Sequence, residues 1–485
     1  MYRVHYVSSN YKTADRRGVV RSLWLTLGLM AMLLLSGLSV FSPSPVVHAA
    51  SPPAPFYVST RGSDTTGNGS LGSPFATISH AVSSAVSGQM VVVEPGIYKE
   101  MVLITKQLTL MSQTLQPSTT TIDATGQPVG IAILGANASG TVVEGFTVTG
   151  ANNEGILVQD SKNVVVDNNF VSNNAFNVIA GLGEVKGIQL TGTSESTVAG
   201  NTVVGNGYGG IGVTDDGPTD ASWNASAAPT SGIPAGTPNP GNANLISGNL
   251  VENNHPNHCA IVISSYNPNE GVSNNIVSGN TVVDNQNGVI VAADTPNTIA
   301  INNTVIYNNI LNNGEGGVIV HSNAPGDVVK GNSILYNVIS ANGYLPTLEG
   351  VIVGGEGNVP VDDTSIIGNV FQNEAIAVQI VLGTNTMVGG NIIGSTVTLA
   401  YNGTVTQIST GSGQSSPTVT TTASATVTQT VVSTLTSVVS SNATAPASSS
   451  GGLTFSLALI TAVGTLIVGL IVGMVVRPIR EASAR

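Results

Sequence analysis

The sequence predicts an all-β protein, a single-stranded right-handed parallel β-helix followed by one transmembrane helix. Its composition is the first reason. Of the 485 residues only 8% are charged and 4% are aromatic, whereas 57 are glycine. In soluble domains about a quarter of the residues are typically charged. The apolar residues are mainly Val, Ile and Ala scattered among Asn, Thr, Ser and Gly, which is typical of many short strands bounded by turns.

A repeat along the middle of the chain is the second reason. The segment GNTVVDNQNGVIV from Gly279 matches YNNILNNGEGGVIV from Tyr307, and YNVISANG begins at Tyr336. A spacing of 29 residues separates Tyr307 from Tyr336, and also Asn280 from Asn309. Such a unit cannot bury its own apolar face, so it must stack on its neighbours. Parallel coils about 4.8 Å apart meet that need, with Gly and Asn at the left-handed corners and Asn amides bonded along the stack.

The two ends of the chain predict export and membrane attachment. Arginines precede an apolar run and a small-residue stretch, which predicts a signal peptide over residues 1–50. Residues 405–452 are rich in Ser and Thr and predict a stalk. Residues 453–476 carry no charge and are long enough to cross a bilayer, and the basic segment 477–485 is then a cytoplasmic tail. The expected location is the extracellular face of a cell membrane.

The charge of the middle of the chain restricts its ligands. Between residues 51 and 450 there are 6 cationic and 24 acidic side chains, so the net charge there is 6 − 24 = −18. A surface of this sign repels nucleic acid and anionic lipid. It also repels polyuronates unless a divalent cation bridges the two. The single cysteine, Cys259, rules out an intrachain disulfide, and we expect it to be a buried, inert thiol.

The start of the domain resembles a known family. Residues 55–100, PFYVSTRGSDTTGNGSLGSPFATISHAVSSAVSGQMVVVEPGIYKE, look like the N-terminal cap of pectin-lyase-like β-helix proteins. The resemblance implies a first strand and a capping helix within 51–90, the helix covering about 75–86, and a β-helix over 91–404. The later coils resemble the repeats of carbohydrate-binding proteins, sugar hydrolases and periplasmic copper-site maturation proteins.

The same resemblance allows three enzyme classes to be tested. Pectate-lyase-type elimination needs an Arg or Lys base placed by Ca²⁺, but no Arg occurs in the β-helix beyond Lys106. Pectin methylesterases need an Arg beside paired Asp, and that Arg is missing. Polygalacturonases carry paired Asp, which Asp215-Asp216 resembles, but their Gly-His-Gly and Arg-Ile-Lys motifs are not found. Polysaccharide lyase and pectin esterase activities are therefore disfavoured.

An alignment of the coils indicates candidate catalytic carboxylates. The sixth residue after the Gly or Ala that begins each aligned strand is Asp216, Tyr266 and Asp294 on three consecutive coils. Two coil spacings place Asp216 and Asp294 about 9 to 10 Å apart. Inverting glycosidases use a similar separation to leave room for water. If the protein is an enzyme, we therefore expect a glycoside hydrolase that uses Asp216 and Asp294.

An insertion follows Asp216 directly. Residues 217–244 are rich in Pro and Gly and carry Trp223, and long loops on a rigid scaffold are frequent binding sites. We expect Trp223, Tyr208 and Tyr266 to offer a stacking face for a sugar ring. Asp215 is expected to hydrogen-bond the substrate or, with Asp216, to hold a Ca²⁺ ion, although no cofactor is required. The alternative is a solvated acidic turn with a tryptophan packed under its own loop.

The histidines of this sequence do not predict a metal site. His255, His258 and Cys259 cluster in sequence, but His258 and Cys259 are neighbours at the start of a strand and point to opposite faces. His321 is predicted to be a solvated turn residue. The function that these features favour is binding, or hydrolysis, of an extracellular polysaccharide or cell-surface glycan. Two alternatives stay open: a structural or adhesive surface protein without an active site, and a copper-site maturation protein.

Overall fold

The computed structural model describes residues 53–176, 185–215, 239–254, 259–343, 349–354 and 359–393, together with the backbone of 398–408 and 425–427. The chain divides into two compact units, Met1–Pro52 and Pro53–Arg485, and the fold below is that of the second. The predicted signal peptide, the transmembrane segment and the tail lie outside the described residues, as does most of the stalk. No helix within the described ranges is both long and apolar enough to span a bilayer.

The described chain winds through three faces of parallel strands, and the prediction of a parallel β-helix is confirmed. Face 1 is formed by Val102–Ile104, Ile131–Leu134, Ile156–Gln159, Ile188–Thr191, Ile211–Thr214, Cys259–Ser265, Asn287–Ala293, Gly316–Ser322, Glu349–Val353, Ile376–Gly389 and Thr398–Ile408. Face 2 is formed by Phe56–Val58, Gln89–Val93, Leu108–Ser112, Val142–Glu144, Val165–Asp167, Thr197–Ala199, Leu245–Ser247, Ile276–Ser278, Thr304–Ile306, Ser333–Leu335 and Ser365–Ile367.

Face 3 and a set of short connecting strands complete each coil. Face 3 contains Gly96–Tyr98, Thr120–Asp123, Thr147–Thr149, Phe170–Ser172, Thr202–Val204, Leu250–Glu252, Thr281–Val283, Asn309–Leu311, Val338–Ser340, Val370–Gln372 and Ile392–Ile393. Between faces 1 and 2 lie Gly241–Asn242, Val272–Ser273, Ile299–Ile301, Val328–Lys330 and Val361–Asp362. One further strand, Ala425–Val427, pairs antiparallel with Thr398–Ile408. Two 3₁₀ turns, Pro117–Thr119 and Ala136–Ala138, lie in corners.

The core is a column of β-branched side chains, one from the middle of each three-residue strand. On face 2, Val277, Val305 and Ile334 pair in register on consecutive coils and are at most 1% exposed. The residues on either side of each point outward, because side chains alternate along a strand. Each three-residue strand rich in Val and Ile therefore buries one residue, and the stacking of coils supplies the rest of the core.

Two adjacent residues build each corner. The first adopts a left-handed backbone and is most often Gly or Asn, as at Gly279 with φ of 66°. The second is a buried Asn whose side-chain oxygen accepts from the Asn one coil earlier, as when Asn249 N and Nδ2 both donate to Asn280 Oδ1 at 2.9 Å. The sequence predicts both roles for the same asparagines. The structure separates them, because only an inward side chain reaches the next coil.

Three such asparagine ladders run along the solenoid. The first contains Asn244, Asn275, Asn303 and Asn332. The second contains Asn169, Asn201, Asn249, Asn280, Asn308, Asn337, Asn369 and Asn391. The third contains Asn174, Asn206, Asn254, Asn285, Asn313 and Asn342, and it ends on Glu374.

The ladders correct one predicted register. Asn280 pairs with Asn308, 28 residues on, and not with Asn309, which lies beside Thr281. Tyr307 therefore occupies the left-handed corner position that Gly279 holds in the preceding coil. The insertion predicted over 217–244 also ends earlier, because Gly241–Asn242 is a strand of the solenoid and Asn244 is a ladder residue.

The capping helix expected near the N-terminus runs over Ile78–Ser84, shorter than predicted. Thr77 caps it by accepting from His80 N at 3.2 Å, and the Glu100 carboxylate accepts from Ile78 N and Ser79 N at 2.9 and 2.8 Å. These bonds satisfy main-chain donors that the first turn leaves free. The helix buries Ile78, Ala81 and Val82 against the first coil, and it thereby covers apolar groups that have no preceding coil.

Candidate functional site

An open depression of about 410 Å³ on face 1 is a candidate site, because polar and apolar side chains from consecutive coils line it. Its floor is formed by Ile290, Ile319 and Ile352, which lie in register on three consecutive coils. Each is the third residue of a Gly-Val-Ile-Val segment whose two valines are fully buried, so the isoleucine points outward. We call this depression, with its two polar walls described below, the groove.

A hydrogen-bonded cluster forms the first wall of the groove, at the carboxyl ends of the strands. Asn323 Nδ2 donates to Asp294 Oδ1 at 2.7 Å, and His321 Nδ1 lies 3.0 Å from Asn323 Oδ1. Since an amide oxygen only accepts, this contact assigns the ring proton to Nδ1. His321 Nε2 then lies 3.9 Å from Asp294 Oδ1, and Ser264 Oγ donates to Asp294 Oδ2.

The second wall lies at the other end of the same strands. Glu315 is exposed and accepts from Asn287 Nδ2 at 2.9 Å and from Gln286 Nε2. Cys259 is half-buried beside this wall, with its sulfur 3.8 Å from Asn287 Nδ2. Gly316 and His321 are five residues apart on one strand, so the two walls are roughly 16 Å apart. Glu315 and Asp294 are therefore too far apart to act together as the paired carboxylates of a glycosidase.

Asp294 and Tyr266 lie side by side, as the coil alignment predicts. Ser265 pairs with Ala293 and Asp294 N donates to Ser265 O at 3.0 Å, which places the residues that follow in the same column. Asn323 continues that column on the next coil, because Asn323 N donates to Ala293 O at 3.0 Å. Asp216 lies outside the described residues, so the carboxylate pair Asp216–Asp294 stays a prediction.

Asp215 is fully buried and holds the loop that carries Tyr266. Its carboxylate accepts from Ser265 Oγ at 2.5 Å, from Tyr266 N at 2.8 Å and from Asn267 N at 3.3 Å. Burial raises the pKa of Asp215, and these hydrogen bonds oppose that rise. Asp215 therefore positions the loop from behind. To contact a substrate, its carboxylate would have to break these hydrogen bonds.

The predicted aromatic residues are not brought to one place. Tyr208 is 36% exposed and precedes the strand Ile211–Thr214, whereas Tyr266 follows the end of the paired strand Cys259–Ser265. At least four strand residues, roughly 13 Å, separate the two positions, so one sugar ring does not reach both. Trp223 lies outside the described residues, as do His255 and His258. No group of three His, Cys, Asp or Glu suited to a metal is found in the described ranges.

Sequence reasoning missed most of the groove. His321 lies at the end of strand Gly316–Ser322, its side chain 18% exposed, and it is not the solvated turn residue that was predicted. The sequence does contain a signal for the floor, because three successive Gly-Val-Ile-Val segments put an isoleucine at the outward position. The preceding coils have the smaller Val262, Gly212 and Gln189 there. The signal for the wall was absent, because His321 and Asp294 are 27 positions apart and belong to different repeats.

Comparisons with known proteins agree with the fold. The family model described as "Right handed beta helix region" matches residues 112–226. Among solved structures, pectate lyase Pel9A is 14% identical over 69% of this chain and 78% of its own, with a TM-score of 0.47. The Yersinia enterocolitica family 28 exopolygalacturonase is 12% identical over 73% of this chain and 78% of its own, also with a TM-score of 0.47. A search of the curated proteins found no match. The family-model match and the observed coils agree on a right-handed parallel β-helix.

Proposed function

We propose that the protein binds a neutral extracellular polysaccharide in the groove of face 1. The observation that carries this proposal is the row of outward isoleucines, Ile290, Ile319 and Ile352, between two hydrogen-bonding walls. A sugar chain has the matching chemistry, because its ring faces are apolar and its hydroxyl groups lie around the edge. Largely apolar clefts with a few placed polar groups are the usual form of a ligand site.

Charge and geometry restrict the class of ligand that the groove suits. The net charge of −18 over residues 51–450 and the acidic Glu315 and Asp294 at the walls favour a neutral glycan over a polyuronate, unless Ca²⁺ bridges the two. The floor extends over three coils, so the site suits several linked sugar units lying along the solenoid axis. The anchor predicted at 453–476 would then hold this groove at the cell surface.

Binding is tested by affinity electrophoresis of the full-length, detergent-solubilised protein in gels that contain one polysaccharide each. The panel holds xylan, glucomannan, galactan, starch and one polyuronate, with and without Ca²⁺. We expect retardation by at least one neutral glycan. Ile319→Gln removes the centre of the floor and is expected to weaken that binding about tenfold, equal to about 1.4 kcal/mol.

The matched control is Ile276→Gln, which changes an outward isoleucine of face 2 that is 42% exposed. We expect it to bind as the wild type does. Equal binding by the wild type and Ile319→Gln would contradict the groove as the site. Failure of the folded protein to bind any glycan would favour the structural or adhesive alternative.

Hydrolysis is the second candidate function, and it is favoured by the Asp294 carboxylate at one wall, which accepts from Asn323 Nδ2 and lies 3.9 Å from His321 Nε2. Release of reducing ends from the bound glycan is the measurement. If the groove cleaves its ligand, Asp294→Asn is expected to abolish release while it changes binding less, since the amide keeps the shape of the carboxylate. Unchanged release in this variant would exclude Asp294 from the chemistry.

A further inference from the structure

A pair of strained, exposed tyrosines forms a second feature on the solenoid, away from the groove. Tyr307 and Tyr336 occupy the left-handed corner between faces 2 and 3, with φ of 58° and 53°. The same corner carries Gly200, Gly248 and Gly279 in the preceding coils and Gly368 in the next. A bulky side chain in this conformation is uncommon and costs free energy, so the chain holds two aromatic rings where other residues would be more stable.

The two rings are stacked and open to solvent. Their centroids are 5.5 Å apart with an angle of 19° between the planes. Tyr307 is 52% exposed and Tyr336 is 50% exposed. The Tyr336 ring leans over the next coil, since a Cβ added at Gly368 would meet its Cε1 at 2.3 Å. Tyr336 therefore covers the corner that follows it, and the face of Tyr307 turned toward the preceding coil, which carries Gly279 at this corner, has no ring upon it.

The place of a third ring lies above Gly279. A Cβ added at this glycine would meet nothing within 4 Å, so the space is open. Around it stand half-buried polar residues: Ser278 precedes the glycine, and Thr281 lies in register with Asn309 on the adjacent strand. We call Tyr307, Tyr336, Gly279 and these polar neighbours the tyrosine shelf.

We propose that the tyrosine shelf binds one pyranose ring of a neutral glycan, stacked on Tyr307 above Gly279. The flat aromatic face takes the apolar face of the sugar, and hydroxyl and amide groups on both sides suit its hydroxyls. The outward residues of the shelf are uncharged, which fits a neutral ligand. A protein partner is disfavoured because the shelf is about one ring wide, whereas stable protein interfaces bury roughly 800 Å² on each side.

This inference shares the ligand class of the proposed function but not its site. A shelf at the corner of faces 2 and 3 and a groove on face 1 would hold two strands of a polysaccharide, or two segments of one chain. The shelf therefore explains a feature that the groove leaves unused. Because the shelf and the groove are separate sites, an experiment can contradict one proposal and support the other.

The test is chemical nitration of the full-length protein by tetranitromethane, with the modified tyrosines identified by mass spectrometry. We expect both shelf tyrosines to react in the free protein. Neutral glycan from the binding panel is expected to slow nitration of Tyr307 at least fivefold. In Gly279→Asn the new side chain fills the space above the glycine, and we expect the protection to disappear. Asn holds this same left-handed corner at Asn168, so the fold should tolerate it.

Gly205→Asn is the matched control. Gly205 is also left-handed, with φ of 62°, and a Cβ there meets nothing within 4 Å, but it lies at the corner that follows face 3. We expect Gly205→Asn to keep the protection of Tyr307. Tyr307→Asn should retain or improve thermal stability while it weakens glycan binding, which separates a ligand role from a structural one.

Each outcome decides between the sites. Glycan binding without protection of Tyr307 overturns the shelf and leaves the groove. Protection that persists in Ile319→Gln, with undiminished binding, supports the shelf and overturns the groove. Equal protection in Gly279→Asn and in the wild type contradicts the proposed position of the sugar, and a failure to bind any glycan overturns both proposals.

Discussion

Replacement of Asn280 by alanine is expected to lower the free energy of unfolding by roughly 4 kcal/mol, the largest effect of any single polar substitution proposed for this protein. Asn280 is fully buried in the second ladder. Its Oδ1 accepts from Asn249 N and Nδ2, and its Nδ2 donates to Ile246 O and to Asn308 Oδ1, all at 2.9 Å. Alanine leaves the Asn249 N–H and the Ile246 carbonyl without these partners, and each buried group left unpaired costs about 1–3 kcal/mol.

Denaturant unfolding followed by circular dichroism measures this loss, and hydrogen exchange of the Asn249 amide locates it. Asn309→Ala is the matched control, because Asn309 lies one residue beyond the ladder and points outward. It is expected to change stability by no more than about 0.5 kcal/mol. Asn280→Ser should fall between the two, since Ser196 Oγ plays the acceptor role in the first ladder by accepting from Val164 N at 2.9 Å. Equal losses in Asn280→Ala and Asn309→Ala would contradict the ladder as a source of stability.

Glu374→Gln is expected to raise stability at alkaline pH by roughly 2–3 kcal/mol and to leave it almost unchanged near pH 4. Glu374 ends the third ladder and is 4% exposed. Burial raises its pKa to about 7, although Asn342 N and Nδ2 donate to the carboxylate and oppose the rise. The folded state therefore binds a proton more tightly than the unfolded state. Stability falls as pH rises from about 4.5 to 7, and the loss is complete above that range.

The measurement is the denaturation midpoint of wild type and variant between pH 4 and 9. Burial also raises the pKa values of Asp215 and Glu349, but both proteins share those groups, so the difference between the curves isolates Glu374. Glu252→Gln, an outward residue of face 3, is the control and should follow the wild-type curve. Parallel curves for wild type and Glu374→Gln would show that this carboxyl titrates alike in both states.

The groove shows why a repeat predicts a fold more readily than a site. The aligned strands placed Tyr266, Asp294 and Asn323 on consecutive coils, because parallel stacking carries one register through the whole array. The alignment did not show which members of a column share hydrogen bonds. His321 lies beside Asp294 only because the two coils are adjacent, and neither repeat contains a motif that predicts this contact.

The corners show the same limit of sequence-based prediction at the level of single residues. A shift of one residue, Asn308 for Asn309 as the partner of Asn280, changes which side chain lies in the ladder and which corner residue is exposed. Because of that shift, Tyr307 occupies the corner position one coil after Gly279, beside the open space at that glycine. Repeat spacing alone does not detect it, because an additional Gly314 later in the coil restores the 29-residue period.

The class of fold, its repeat and the sign of its charge are readable from the amino-acid sequence, because periodicity and composition act locally in every coil and need no knowledge of distant contacts. The helix that covers the N-terminal end was implied by the resemblance of residues 55–100 to the cap of pectin-lyase-like proteins. The folded structure was needed to show which asparagines stabilise the interior, that Asp215 is a buried support, and that the isoleucine floor meets the wall of Asp294, His321 and Asn323. Those depend on the lateral pairing of coils, where each hydrogen bond joins residues that lie roughly thirty positions apart in the chain.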